Sequence, residues 1–254
     1  MELWEKAVDK FLEKWKDKEE VIGALVCGSY VTGDPSPHSD IDLHIVLSNK
    51  ATRRIRGNIM VDDFLIEYFI NPAKQIEKYF SEDFYDRRPH SMVQFVTGRV
   101  LFDPTGEIER LKKLAEEWIR KDREPLSRTA VELTKYHLWD TRDNLADCYE
   151  QDRPDFDFLY YNSLNVLYEA YAKFLNQDVF SFYQLSRYLR DPKFQKKYLA
   201  EDFPDQDFQQ RFLRCIEEPA RKIRMKEYHK LTERVLEKMG GFSIDGWEIN
   251  TPVE

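Results

Sequence analysis

Cysteine is scarce in this chain: Cys27, Cys148 and Cys215 are odd in number, far apart and free of CxxC spacing. That excludes a disulfide framework and a zinc site of the paired-cysteine kind, and it fits a reducing, cytoplasmic setting. Long apolar runs are also missing. The first residues, MELWEKAVDKFLEKWKDKEE, interleave Leu3, Trp4, Val8, Phe11, Leu12 and Trp15 with charges at helical spacing. This is neither a signal peptide nor a membrane span, so no membrane partner is expected, and the segment reads as an amphipathic helix lying on a sheet. Positive charge is short, with 39 Lys and Arg against 47 Asp and Glu and a net charge of −8. A duplex nucleic-acid partner bound through phosphate neutralisation is thereby excluded, whereas a cationic small molecule suits such a surface. No P-loop, dinucleotide-binding glycine fingerprint or HExxH motif occurs, and there is no internal repeat or low-complexity block.

What is present centres on Val21 to Leu47, VIGALVCGSYVTGDPSPHSDIDLHIVL. Val21, Ile22, Ala24, Leu25, Val26 and Cys27 show no 3.6 period, as expected of a strand buried on both faces. The strand should end at Gly28, where positive φ and a close backbone approach are permitted, and Ser29 adds a hydroxyl at the same point. That pair suits a polyphosphate. After a ten-residue loop the period becomes two, so Asp40, Asp42, His44 and Val46 share one strand face and Ile41, Leu43, Ile45 and Leu47 the other. Adjacent carboxylates repel each other unless a divalent cation supplies the opposite charge, and Mg²⁺ is the natural one. The alternative is a plain turn, in which Asp side chains accept backbone hydrogen bonds. Such a combination should arise by chance in roughly one unrelated chain in a few hundred, which favours the cation reading.

GSYVTGDPSPHSDIDL resembles the signature of the polymerase-β-like nucleotidyltransferase superfamily, and within it the small bacterial enzymes that adenylylate aminoglycosides or lincosamides. Gly28, Ser29, Gly33, Ser39, Asp40 and Asp42 carry the likeness. The resemblance implies a nucleoside triphosphate, ATP foremost, held by Gly28, Ser29 and Ser39. It further implies a two-metal Mg²⁺ site on Asp40 and Asp42, completed by a third carboxylate from a later strand.

Candidates for that third acid follow at once. SNKATRRIRGN reads as a polar connection with Arg53, Arg54 and Arg56, either phosphate ligands or a solvated basic loop. Asp62-Asp63 then separates NIMV from FLIEYFI as a hairpin turn would. Glu67 is a lone carboxylate within the second run, costly to bury without a partner. The partner is a metal cluster, an arginine of the basic loop, or water at an edge strand. Asp63 shares its face but lies about 13 Å away, so only one of the two can join a cluster. Asn71-Pro72 opens a helical pattern through Ile76, Tyr79 and Phe80. A short strand is expected at Arg99 to Asp103, and a helix from Glu107 that Pro125 stops.

Beyond Pro125 every segment carries apolar residues at helical spacing. The fold class expected is therefore α+β: a mixed-sheet nucleotidyltransferase domain over 1–124, then a helical domain over 125–254. That order resembles the aminoglycoside enzymes, and the tail GGFSIDGWEINTPVE loosely resembles the kanamycin-type ones. In the helical half Lys135 is the candidate triphosphate contact. DCYEQDRPDFDFLYYN offers acids and rings for an amino sugar, or only solubility. Arg224 and His229 have an Arg-x4-His spacing found in some ribonucleases, and they read as a surface helix pair. The activity expected is Mg²⁺-dependent transfer of AMP to a hydroxyl of a small, cationic, aminoglycoside-type acceptor, as in antibiotic resistance. A protein side chain is the other acceptor, and an antitoxin-like binding protein with little turnover is the other class. No pattern bears on oligomeric state.

Overall fold

The computed structural model describes residues 1–251, so the last three residues of the tail likeness lie outside the described residues. The chain forms two compact units. The first is Met1–Asp122 with Lys197–Leu199, and the second is Arg123–Lys196 with the chain from Ala200 on.

The first unit is built on a five-stranded mixed sheet of β1 (Val21–Cys27), β2 (Ile41–Leu47), β3 (Ile55–Val61), β4 (Phe64–Pro72) and β5 (Arg99–Phe102), in the order β3-β4-β2-β1-β5. Only the β2 to β4 pairing is parallel; β1 pairs antiparallel with β2 and β5, and β3 antiparallel with β4. The period of two decides the faces. Ile41, Leu43, Ile45 and Leu47 of β2 join Ala24, Val26, Ile66 and Ile70 under α1 (Leu3–Leu12), whose Trp4, Ala7, Val8, Phe11 and Leu12 are buried there. Leu25, Cys27 and Val46 point the other way, toward α3 (Ala73–Asp86), α4 (His90–Thr97) and α5 (Glu107–Arg120). Burying a large aliphatic or aromatic side chain contributes about 1.5–3 kcal/mol, so both faces are needed to hold the sheet.

Two local expectations are corrected. The presumed loop at 48–58 becomes strand from Ile55, because Arg56, Asn58 and Met60 alternate outward on an edge strand while Ile55, Gly57 and Ile59 turn inward. Glycine suits position 57, since a Cβ there would displace the hydroxyl end of Tyr68. The ten residues after Gly28 are not all loop: Ser29–Thr32 make one helical turn, α2, closed by Gly33 at φ +82°. Asp62 and Asp63 form the expected tight hairpin, both at positive φ as a two-residue primed turn demands.

The second unit is helical among the described residues: α6 (Arg128–Glu150), α7 (Phe156–Phe174), α8 (Phe182–Tyr188), α9 (Pro192–Lys197, all but its last residue), α10 (Gln206–Glu217) and α11 (Arg221–Lys238). Its core is aromatic, and several of its buried phenols are held by hydrogen bonds, as most buried polar groups are. Tyr160 donates to the Cys215 carbonyl at 2.9 Å, Tyr171 to Asp205 at 2.7 Å, and Tyr168 accepts from the Phe180 amide at 3.2 Å. Arg224 is not on the surface: it is 5% exposed, ringed by Phe156, Tyr160 and Tyr161, and paired with Asp157 at 2.5 Å. His229 is solvent-facing and meets Glu233 at 3.0 Å, so the two residues do not form a pair.

Candidate functional site

β1 delivers a buried Cys27 and then Gly28 at φ +79°, a left-handed conformation open to glycine. Space gives a second reason for glycine, because a Cβ at position 28 would overlap Asp42 Oδ2. Strand, turn and acid are thus packed as one piece. The Gly28 carbonyl accepts from the Val31 and Thr32 amides and, at 3.1 Å, from the Thr32 hydroxyl, which fixes the turn carrying Ser29. The loop back to β2 is held by Ser39, whose hydroxyl accepts from the Ser36 amide at 2.8 Å.

Asp42 occupies the second position of β2, with Asp40 just before the strand. Parallel pairing sets Asp42 in register with Glu67 of β4, so both carboxylates lie side by side on the sheet face that carries α4. Burial pushes the Asp42 carboxyl up to about 7, and repulsion from Asp40 and then Glu67 adds to it. Burial, then the same two aspartates, raises the Cys27 thiol as well. Asp63 sits in the exposed hairpin turn, off the strand; the acid of β4 aligned with Asp42 is Glu67.

Glu67 Oε1 accepts from Arg56 Nη2 at 2.7 Å and Nε at 3.1 Å. The glutamate side chain is 16% exposed and the arginine 70% exposed, so this ion pair is only half desolvated and is worth little in stability. Arg56 also lies over the Phe69 ring at 5.0 Å. Arg53 and Arg54 go elsewhere, to Glu20 and to the Tyr79 hydroxyl.

Behind Asp42 sits a polar group that the sequence pattern did not single out. Gln94 of α4 places Nε2 at 3.5 Å from Asp42 Oδ1 and Oε1 at 3.2 Å from His44 Nε2. His44 is buried between Phe69 and Phe95, with ring centroids 4.9 and 5.1 Å away. Burial depresses its pKa to about 4, so it is a neutral imidazole at pH 7. A lone glutamine within MVQFV was the available signal.

Among the described residues no three His, Cys, Asp or Glu side chains converge as a closed metal cage. Asp40 and Asp42 still fit a hard cation. Mg²⁺ commonly takes one or two carboxylates from a protein and its other oxygens from phosphates and water, and an acid pushed to about 7 by burial, and further by Asp40 and Glu67, is short of positive charge. Lys135 belongs to the second unit, where it is 5% exposed and paired with Glu132 at 2.6 Å, and so not on a solvated helix face. In the acidic segment DCYEQDRPDFDFLYYN, Asp155 is bound to Arg153, and Asp157 to Arg221 and Arg224.

Residues 8–103 match the family described as "Nucleotidyltransferase domain". A protein of Methanocaldococcus jannaschii named "Putative protein adenylyltransferase" is 33% identical over 63 residues, 24% of this chain and 43% of that one. The chain thus spans less than half the length of that relative. Among solved structures, a nucleotidyltransferase-like protein from Exiguobacterium sibiricum is similar with a TM-score of 0.49 and 10% identity, over 92% of this chain and 75% of that one. Gly28, Ser29, Asp40, Asp42 and Glu67 all lie within residues 8–103, the part of the chain that is similar to a nucleotidyltransferase domain.

Proposed function

We propose that this protein transfers AMP from ATP to a hydroxyl acceptor, with Asp40 and Asp42 as the carboxylates that hold Mg²⁺. The observation that carries the reading is the alignment of Asp42 with Glu67 across the β2 to β4 pair, directly against the Gly28 turn. Bound there, the cation would neutralise charge on the triphosphate and on the departing pyrophosphate.

The chain's own groups do the rest. The Gly28–Ser29 turn lets the backbone approach phosphate oxygens closely, with the Ser29 hydroxyl as a further donor. Ser39 holds the loop that presents Asp40. Glu67, one strand from Asp42, is the acid placed to take the acceptor's proton or to complete a second cation position, and in either role its carboxylate must share or give up Arg56. Arg56, released, is a mobile cation beside the phosphates. Lys135 has no part in these steps, its ammonium being engaged by Glu132.

Two acceptor classes follow from different observations. The acidic composition favours a small cationic hydroxyl compound of aminoglycoside type, and the name of the archaeal relative favours a protein side chain. The test is pyrophosphate release from ATP and GTP with Mg²⁺, against a panel of aminoglycosides and, separately, protein acceptors. Labelled AMP on one acceptor, lost in Asp42→Asn, is the expected outcome. Binding of Mg²⁺ and ATP with no release toward any acceptor would make the chain a binding module instead.

A further inference from the structure

Carboxylates that hold cations work best when something else fixes which oxygen faces the ion, and the hydrogen bonds behind Asp42 do this. An ionised carboxylate only accepts hydrogen bonds, so Gln94 must turn its NH₂ toward Asp42 Oδ1 and its carbonyl toward His44. His44 Nε2 is then a donor, and Nδ1 is the unprotonated nitrogen; Nδ1 is in fact buried without a hydrogen-bond partner. The ring cannot easily swing away, because it is stacked on Phe69 at 18° and edge-on to Phe95. One fixed donor therefore orients the amide, and the amide takes Oδ1. The remaining oxygen, Oδ2, is the one that lies against Gly28.

We infer that Gln94, oriented by His44, is a positioning residue that turns Asp42 Oδ2 toward the Gly28–Ser29 turn and thereby sets the affinity of the site for its divalent cation. This rests on the metal-dependent reading given above. Partners behind a metal ligand commonly change metal affinity by 10–100-fold when removed, without touching the ion. Neither Gln94 nor His44 is asked to bind nucleotide or move a proton.

The test uses the full chain with Mn²⁺ and α,β-methylene-ATP, the free ion being counted by electron paramagnetic resonance. Gln94→Met keeps length and removes both polar ends; His44→Phe keeps the stacked ring and removes the donor. The expected result is a Mn²⁺ dissociation constant raised about 10–100-fold in Gln94→Met and less in His44→Phe. The double variant should be no weaker than Gln94→Met alone, since both act through one oxygen of Asp42. In turnover assays the half-saturating metal concentration should rise while the rate at saturating metal stays within about threefold. A merely structural role would lower the active fraction and leave the half-saturating concentration where it was. Wild-type Mn²⁺ affinity in Gln94→Met overturns the inference, and should that variant not fold, wild-type affinity in His44→Phe does so. If wild type and Asp42→Asn bind Mn²⁺ alike, the metal reading itself falls, a result separate from either.

Discussion

Asp42 should cost the metal-free protein stability, and replacing it should recover that cost. Its folded-state pKa of about 7 lies above the ordinary 3.8. The folded form therefore keeps a proton that the unfolded chain has released, and the stability from that proton is fully present below about pH 3.8 and lost as pH rises through about 7. At about 1.4 kcal/mol for each tenfold step in proton affinity, the whole loss is on the order of 4 kcal/mol. Asp42→Asn is nearly isosteric, removes the charge, and leaves an amide for Gln94 and the Gly28 turn to meet. In EDTA at pH 8 the variant should be more stable than wild type by about 1–4 kcal/mol, while at pH 4 the two should be close. Urea unfolding at both pH values, compared at equal m, reads this directly. Saturating Mg²⁺ and ATP at pH 8 should then raise wild-type stability and barely move the variant. An Asp42→Asn effect identical at pH 4 and pH 8 would refute the reasoning, since it would place the charge in water.

Glu67→Gln should lower the single-turnover rate by about a hundredfold with little change in ATP affinity, and Asp63→Asn, in the exposed turn, should be nearly silent. The opposite pattern would move the third acid into the hairpin turn. The two positive-φ glycines should also separate. Gly33→Ala has open space around its Cβ and should cost about 1 kcal/mol of backbone strain with turnover kept. Gly28→Ala must displace Asp42 and should cost more stability and abolish cation binding; a Gly28→Ala protein that binds Mn²⁺ normally would show that the turn and the acid are not packed as one piece.

Much of the first unit was legible because a strand declares its faces. Asp42 and His44 on one side of β2, with Ile41, Leu43 and Ile45 on the other, follow from a period of two, and so does the side of β4 on which Glu67 lies. Which residue of β4 stands beside Asp42 did not follow. Cross-strand register between β2 and β4 is set by sheet pairing across the intervening residues 48–63, and no local pattern encodes it. Arg56 was read as loop because charge dominates its neighbourhood, yet an edge strand can carry charge on its outward face. Gln94 was missed because α4 has eight residues, too few for a helical period to show that its one amide turns inward. Spacing alone puts Arg224 on the surface, because arginines in a charged helix are usually solvated. Its burial depends on Asp157 and three aromatic rings from another helix, which spacing within α11 cannot reveal.

The single parallel pairing in the sheet bears on how the domain assembles. β1 with β2 and β3 with β4 are antiparallel pairs of neighbours in sequence, and each can form early, the second across a two-residue turn. Joining the two hairpins along β2 and β4 is a less local step, as is the docking of β5 on β1, and it is the step that brings Asp42 alongside Glu67. Charge repulsion between Asp42 and Glu67 is then set across the seam between the two hairpins. A divalent cation at this seam should act on kinetics as well as on the equilibrium, slowing the parting of the two hairpins and thus the unfolding rate.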